Sequence, residues 1–215
     1  MGTADARAVL GSRLRRAPIV RGLAGCDTDL SRLLRPDWTV VDVGCGSGSR
    51  SAPHALASAI GVDIHFPSLV RTRRERCRFG AICASLQSLP IGNGAVDAVV
   101  ALDVIEHFVE DEAVALVREF ERVARRAIVL LTPNGFLPQA GTPENPFMEH
   151  RSGWSAPDLV SLGYSVTGIN GWHSLRGAFA APRFGPVGKA LSLASQPLVR
   201  RHPSRAFHLL AVKRL

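Results

Sequence analysis

Three groups of residues in this 215-residue chain could do chemistry. The first lies in VVDVGCGSGSR, Val40 to Arg50, where Gly44, Gly46 and Gly48 follow an apolar run. Glycines so placed let the backbone turn sharply and approach a ligand, and the free N–H groups of a following helix start can receive an anion. The second is Asp63 in GVDIH, an acidic side chain closing the next apolar run. In that position a carboxylate can accept hydrogen bonds from both hydroxyls of a ribose, so the pair of features proposes a nucleoside site. The third comprises Glu106 and His107, then Asn134, then Glu149, His150 and Arg151 within GTPENPFMEHRSGW. A histidine or carboxylate there can draw the proton from a hydroxyl. Asp103, Glu106, His107, Glu149 and His150 could together offer oxygen and nitrogen ligands to a divalent metal such as Mg, without a recognised metal spacing.

Such residues need elements to hold them. Short β-rich apolar runs occur at Thr39–Val43, Ala59–Ile64, Phe79–Ala84, Ala95–Leu102 and Ala127–Leu131, with helical patterns between several of them. The clearest helix runs from about Asp111 to Ala124, with Val114, Leu116, Val117, Phe120 and Val123 mostly on one face. Strands alternating with helices predict a parallel sheet covered on both faces by right-handed crossovers. Tyr164–Asn170 and Phe207–Val212 read as two more strands, separated by a Gly/Pro-containing segment, 171–205, with a helix around Gly188–Ser195. That segment is a cover over the sheet or a homodimer interface.

Composition narrows the classes. Hydrophobic residues at 46% and charged residues at 20% suit a globular chain and exclude a disordered one. No apolar run reaches the roughly 18 residues of a membrane-spanning helix, and the N-terminus lacks a signal-peptide core, so a cytoplasmic location is expected. Cys26, Cys45, Cys77 and Cys83 follow no zinc spacing and read as reduced thiols. A net charge of +8 raises nucleic acid as a partner. The densest cationic cluster, Arg71, Arg73, Arg74, Arg76 and Arg78, carries no interleaved aromatics, which disfavours that partner. Trp38 reads as core, while Trp154, Trp172 and His173 are candidates to flank an acceptor pocket.

The loop spacing is G-x-G-x-G, which disfavours the G-x-G-x-x-G of a dinucleotide oxidoreductase. In order, DVGCGSG, GVDI, SLQSLPIGNGAVDAVVALDVIEHF and IVLLTPNGF resemble the successive motifs of class I methyltransferases that use S-adenosylmethionine (SAM), across roughly residues 38–136. The ubiquinone-type O-methyltransferases of the small-molecule group are the nearest in flavour. Ile91, Asn93 and Val96 stand where that pattern has Phe, Asp and Phe. The resemblance implies an α/β fold: a single-domain, Rossmann-like, doubly wound and mostly parallel seven-stranded sheet with an antiparallel C-terminal edge. It divides the chain into an N-terminal helical cap (1–37), a cofactor-binding core (38–136) and acceptor-side loops with the last strands (137–215).

The same resemblance implies roles for matched residues. Backbone at Gly44, Cys45 and Gly46, with Gly48, would cradle the methionine part of SAM, and Asp42 would turn toward its ammonium group. Asp63 would hold the ribose and Ile64 the adenine, Ser85 and Leu86 would meet the adenine edge, and Leu102 and Asp103 would close the methionine side. The expected reaction is O-methylation of a small-molecule acceptor, such as a saccharide or secondary metabolite, as small bacterial methyltransferases of those pathways carry out. His150 ranks first as general base and His107 second, with Glu106 and Glu149 beside them. A nucleic-acid methyltransferase and a non-catalytic SAM-binding module are the alternatives; the D/N-P-P-Y motif of many nucleic-acid amino methyltransferases is absent, and TPNG stands in its place.

Overall fold

The computed structural model describes residues 24–47, 58–75, 80–177 and 181–215. Seven strands form one sheet in the order β3-β2-β1-β4-β5-β7-β6: β1 Thr39–Val43, β2 Ser58–Asp63, β3 Gly80–Cys83, β4 Val96–Leu102, β5 Ala124–Pro133, β6 Ser165–Trp172 and β7 Ala206–Arg214. The first five run parallel; β7 pairs antiparallel with β5 on one side and with β6 on the other. Strand order turns back at β1 and β4, so the crevice beyond their C-terminal ends is where an open α/β sheet takes its ligand.

Both faces of the sheet are buried, as near-continuous apolar strands require. In β1, Val41 and Val43 enter one core and Val40 the other; β4 divides likewise between Val99 and Ala101 on one face and Ala98, Val100 and Leu102 on the opposite face. Helix α3, Glu110–Val123, closes the first face with Ala113, Leu116, Val117, Phe120 and Val123, and Val114 packs half-buried beside them. Helix α1, Ala24–Leu33, covers the second face through Leu30, with Leu34 and Trp38 following it. Residues 1–23 of the expected cap lie outside the described residues. Helix α2, Phe66–Glu75, follows β2 and shows Arg71, Arg73 and Arg74 to solvent; Arg76 and Arg78 lie outside the described residues.

The strand that sequence placed at Ala127–Leu131 extends to Ala124–Pro133. Its charged start stays in the sheet because Asp97 accepts from Arg125 Nε at 2.9 Å and Arg126 Nε at 2.6 Å, and from the Thr39 N–H at 2.9 Å. These bonds, Arg125 first, hold the Asp97 carboxyl far below the usual carboxylate range despite its burial. One buried carboxylate thereby fastens the N-terminal ends of β1, β4 and β5. The turn before β4 is held by Arg122, which donates to the carbonyls of Leu89 and Ile91 and to Asn93 Oδ1. Asn93 therefore does turn work, at a position where it departs from the family pattern. The segment after β6 contains two helices, α5 Gly185–Ala194 and α6 Gln196–Arg201; a shorter one, α4 Ala156–Ser161, precedes β6.

Candidate functional site

The loop after β1 is built as its glycines suggested. Gly44 and Gly46 have φ of +65° and +55°, the left-handed region that favours glycine. The Gly44 N–H donates to the Val62 carbonyl at 2.7 Å, and the Gly46 N–H donates to Asp63 Oδ2 at 2.7 Å. A Cβ on Gly44 would lie 2.6 Å from Val104 Cγ2, whereas one on Gly46 would meet nothing within 4 Å. Thr72 of α2 donates to the Gly46 carbonyl at 2.8 Å, tying the turn to that helix. Gly48 lies outside the described residues. Burial pushes the Cys45 thiol well up, with Asp42 and Asp63 adding to it, so Cys45 is a neutral packing group against Leu69.

Asp63 ends β2 with its carboxylate buried; Oδ2 receives the Gly46 N–H and Oδ1 the His65 N–H at 2.7 Å. Each carboxylate oxygen can accept more than one hydrogen bond, so the backbone bonds orient the group without exhausting it. Ile64 is exposed next to it, and Ser85 is exposed after β3. Leu86 and Leu102 are buried in the two cores, and Asp42 is buried on β1. Asp103 takes φ +57° beyond β4, its N–H donating to the Leu131 carbonyl at 2.9 Å.

Beyond the C-terminal ends of β4 and β5 the structure brings together what sequence left separate. Glu106 and His107 sit in a single helical turn after β4, Ile105–His107, and His150 lies in the loop that follows β5. The Glu106 carbonyl accepts the N–H groups of Arg151 (2.7 Å) and Ser152 (3.1 Å), so the loop is clipped onto that turn. The rings of His107 and His150 meet edge to face with centroids 4.9 Å apart. His107 Nδ1 donates to the Glu149 carbonyl at 2.9 Å and His150 Nδ1 to the Leu137 carbonyl at 2.6 Å. Since a carbonyl only accepts, both rings carry a proton on Nδ1, which leaves Nε2 as the nitrogen that can accept from a ligand. Burial, assisted by His107, holds His150 below the usual histidine range against the opposing pull of the Leu137 carbonyl and Asp103. Glu106 is 2% exposed and receives Thr132 Oγ1 at 3.1 Å. Glu149 has an exposed side chain, and its carbonyl is the part that engages the site.

Two candidates from sequence serve structure. Asn134 Nδ2 faces the carbonyls of Pro203 (3.3 Å), Ser204 (3.0 Å) and Ala206 (2.9 Å), so its amide is engaged in holding that turn. Trp154 is buried in the core with Nε1 donating to Ser152 Oγ; Trp172 and His173 are exposed. Sequence reasoning missed three residues. Val104 presses on Gly44 and thus joins the glycine loop to the turn bearing Glu106 and His107. His65 Nε2 donates to the Glu144 carbonyl at 2.9 Å, drawing the 137–150 loop across to the end of β2. His208, buried on β7, bonds Asn170 at 2.8 Å and lies 3.7 Å from Asp103. Nothing in local sequence marks these, because each acts through a partner distant along the chain.

Residues 41–131 match a family described as a methyltransferase domain. A probable SAM-dependent methyltransferase of Mycobacterium tuberculosis is 36% identical over 129 residues, which cover 57% of this chain and 46% of that protein. Malonyl-[acyl-carrier protein] O-methyltransferase of Legionella pneumophila is 31% identical over 124 residues, covering 54% of this chain and 40% of the relative. The chain spans about half the length of the curated relatives it matches. The crystal structure of magnesium protoporphyrin IX methyltransferase from Synechocystis with bound SAM aligns with a TM-score of 0.54, covering 91% of this chain and 82% of that one. At 21% identity this is a likeness of fold.

Proposed function

We propose that the chain is a class I SAM-dependent methyltransferase, a reading supported by the methyltransferase-domain match over residues 41–131 and by its relatives, and that it moves the methyl group of SAM to a hydroxyl of a small acceptor. The carrying observation is that the glycine loop and the acceptor-side histidines share one wall: Val104, against which Gly44 packs, leads directly into the turn of Glu106 and His107, onto which His150 is clipped. Gly44, Cys45 and Gly46 would take the methionine part of SAM, Asp63 the ribose and Ile64 the adenine. SAM brings a methyl on a positively charged sulfur, and the protein's chief task is alignment. The acceptor oxygen attacks the methyl carbon, the carbon–sulfur bond breaks toward S-adenosylhomocysteine, and the hydroxyl proton passes to His150 Nε2. Because burial keeps His150 neutral near pH 7, its lone pair is available without prior deprotonation.

A polar rim of imidazoles and carboxylates suits a hydroxylated acceptor such as a saccharide or secondary metabolite. A second reading has its own support: one donor atom from each of Glu106, His107 and His150 lies within 4.8 Å of the others. Histidines whose Nδ1–H is held by a backbone carbonyl, as both are here, present Nε2 in the way metal-binding histidines do. Two imidazoles and a carboxylate fit Mn, Fe or Zn better than the Mg that sequence suggested. Such an ion would lower the pKa of a bound hydroxyl in place of a base. The test is transfer of labelled methyl from SAM to a panel of saccharides, phenols, small acids and RNA, with and without chelator. Label on a hydroxyl supports the proposal, and chelator sensitivity selects the metal reading. Label confined to RNA, or none despite SAM binding, refutes small-acceptor O-methylation.

A further inference from the structure

We propose that the segment bearing α5 and α6 docks the protein on an anionic bilayer surface, at the end of the sheet where the acceptor enters. Helix α5 is turned inside out relative to an ordinary surface helix. Its inward side is small and polar: a Cβ on Gly188 would collide with the Arg183 carbonyl. One turn on, buried Ser192 donates to the Asn170 carbonyl at 3.1 Å and accepts from Arg176 Nε at 3.0 Å. Its outward side is apolar. Val187 is 66% exposed, Leu191 51% and Leu193 58%, flanked by Phe184 at 74% and Leu198 at 39%. Scattered exposed apolar residues need no explanation, but five large ones within fifteen residues mark an interaction surface.

Charge identifies the occupant. Asp158 is the last acidic side chain of the sequence; the 57 residues after it carry eight Lys and Arg and no Asp or Glu. The chain's whole excess of +8 therefore resides there, and residues 1–158 balance to zero. Arg183 beside Phe184, Lys189 within α5, Arg201 at the end of α6 and Arg205 in the turn that follows are all exposed. An apolar stripe accompanied by cations is the composition that lies in the headgroup boundary of an anionic membrane, where each cation adds to the attraction. A second copy is a poor cover, since it would set two such cationic segments against each other.

Position fits as well. β7 runs antiparallel to β5, and β6 antiparallel to β7, so β6 ends at the same edge of the sheet as β4 and β5. α5 is anchored to that end, at Asn170 and Gly171, so the docking face lies at the acceptor end of the fold.

The full chain should co-sediment with vesicles of phosphatidylcholine mixed with phosphatidylglycerol, more weakly with phosphatidylcholine alone, and less as salt rises. Replacing Arg183 and Lys189 by Gln should weaken binding about fivefold per charge. Val187→Ser with Leu191→Ser should weaken it on the order of tenfold or more. Melting temperature and S-adenosylhomocysteine affinity report that both variants stay folded. The proposal is overturned if the mixed vesicles fail to retain the protein. It is overturned equally if V187S/L191S binds them like the wild type, or if the protein sediments as a dimer that this variant turns into a monomer.

Discussion

Alanine at Gly44 and at Gly46, one at a time, separates folding from cofactor binding within one loop. Both glycines hold positive φ, so either substitution carries about 1–2 kcal/mol of backbone strain. At Gly44 the new methyl also meets Val104 Cγ2 at 2.6 Å, and Val104 is itself buried in the core. Relieving that overlap adds roughly 1–3 kcal/mol. The total, about 2–5 kcal/mol, lowers the melting temperature of a domain of this size by roughly 4–20 °C. At Gly46 the new methyl touches no protein atom within 4 Å, so the fall should be limited to the strain, about 2–8 °C. The open space beside Gly46 is where the proposed cofactor approaches the backbone, so Gly46→Ala should weaken S-adenosylhomocysteine binding about tenfold or more while the fold survives. Scanning fluorimetry and calorimetric titration read the two quantities separately. Wild-type affinity in Gly46→Ala, or a larger loss of stability there than in Gly44→Ala, would refute the assignment of the loop.

Three further outcomes follow from the geometry. His150→Gln should cut the rate of methyl transfer about 10²–10⁴-fold with unchanged S-adenosylhomocysteine affinity; because the base must be neutral and its folded pKa is lowered, the acid limb of the wild-type pH–rate profile should fall below 6.5, and a limb above that value counts against His150. Asp97→Asn should destabilise the protein by about 1–3 kcal/mol near neutral pH. The Asp97 pKa is depressed on folding, so its contribution is present above the ordinary carboxylate range and fades as pH falls; melting curves of wild type and variant should converge below about pH 4, and a constant gap would show that the ion pairs are not its source. Phe120→Ala empties a fully buried site between α3 and the sheet and should cost about 3–5 kcal/mol, read as a lowered midpoint in urea.

The parallel half of the sheet was legible because burial on both faces demands unbroken apolar strands, and Thr39–Val43 coincides with the observed β1. The start of β5 was not, since Arg125 and Arg126 look like a solvated loop until Asp97, 28 and 29 residues earlier, is seen to receive them. The glycine loop and Asp63 announced themselves by residue type. That the Asp63 carboxylate would be oriented by the Gly46 and His65 N–H groups could not be read, because it depends on where two backbones cross. His107 and His150 were named from the sequence, but their edge-to-face contact arises only when the loop after β5 folds back onto the turn after β4. Trp154 was ambiguous for the opposite reason: an amphipathic ring fits a pocket or a core equally well, and its position under the loop settled it in the core.

The most direct test of the central claim is a calorimetric titration of the full chain with S-adenosylhomocysteine, repeated in the presence of NADH. Saturable one-to-one binding that NADH leaves unchanged is expected from the G-x-G-x-G loop and the carboxylate of Asp63. Absence of S-adenosylhomocysteine binding, or its displacement by NADH at comparable concentration, would contradict a methyltransferase and return the chain to the dinucleotide-binding alternative.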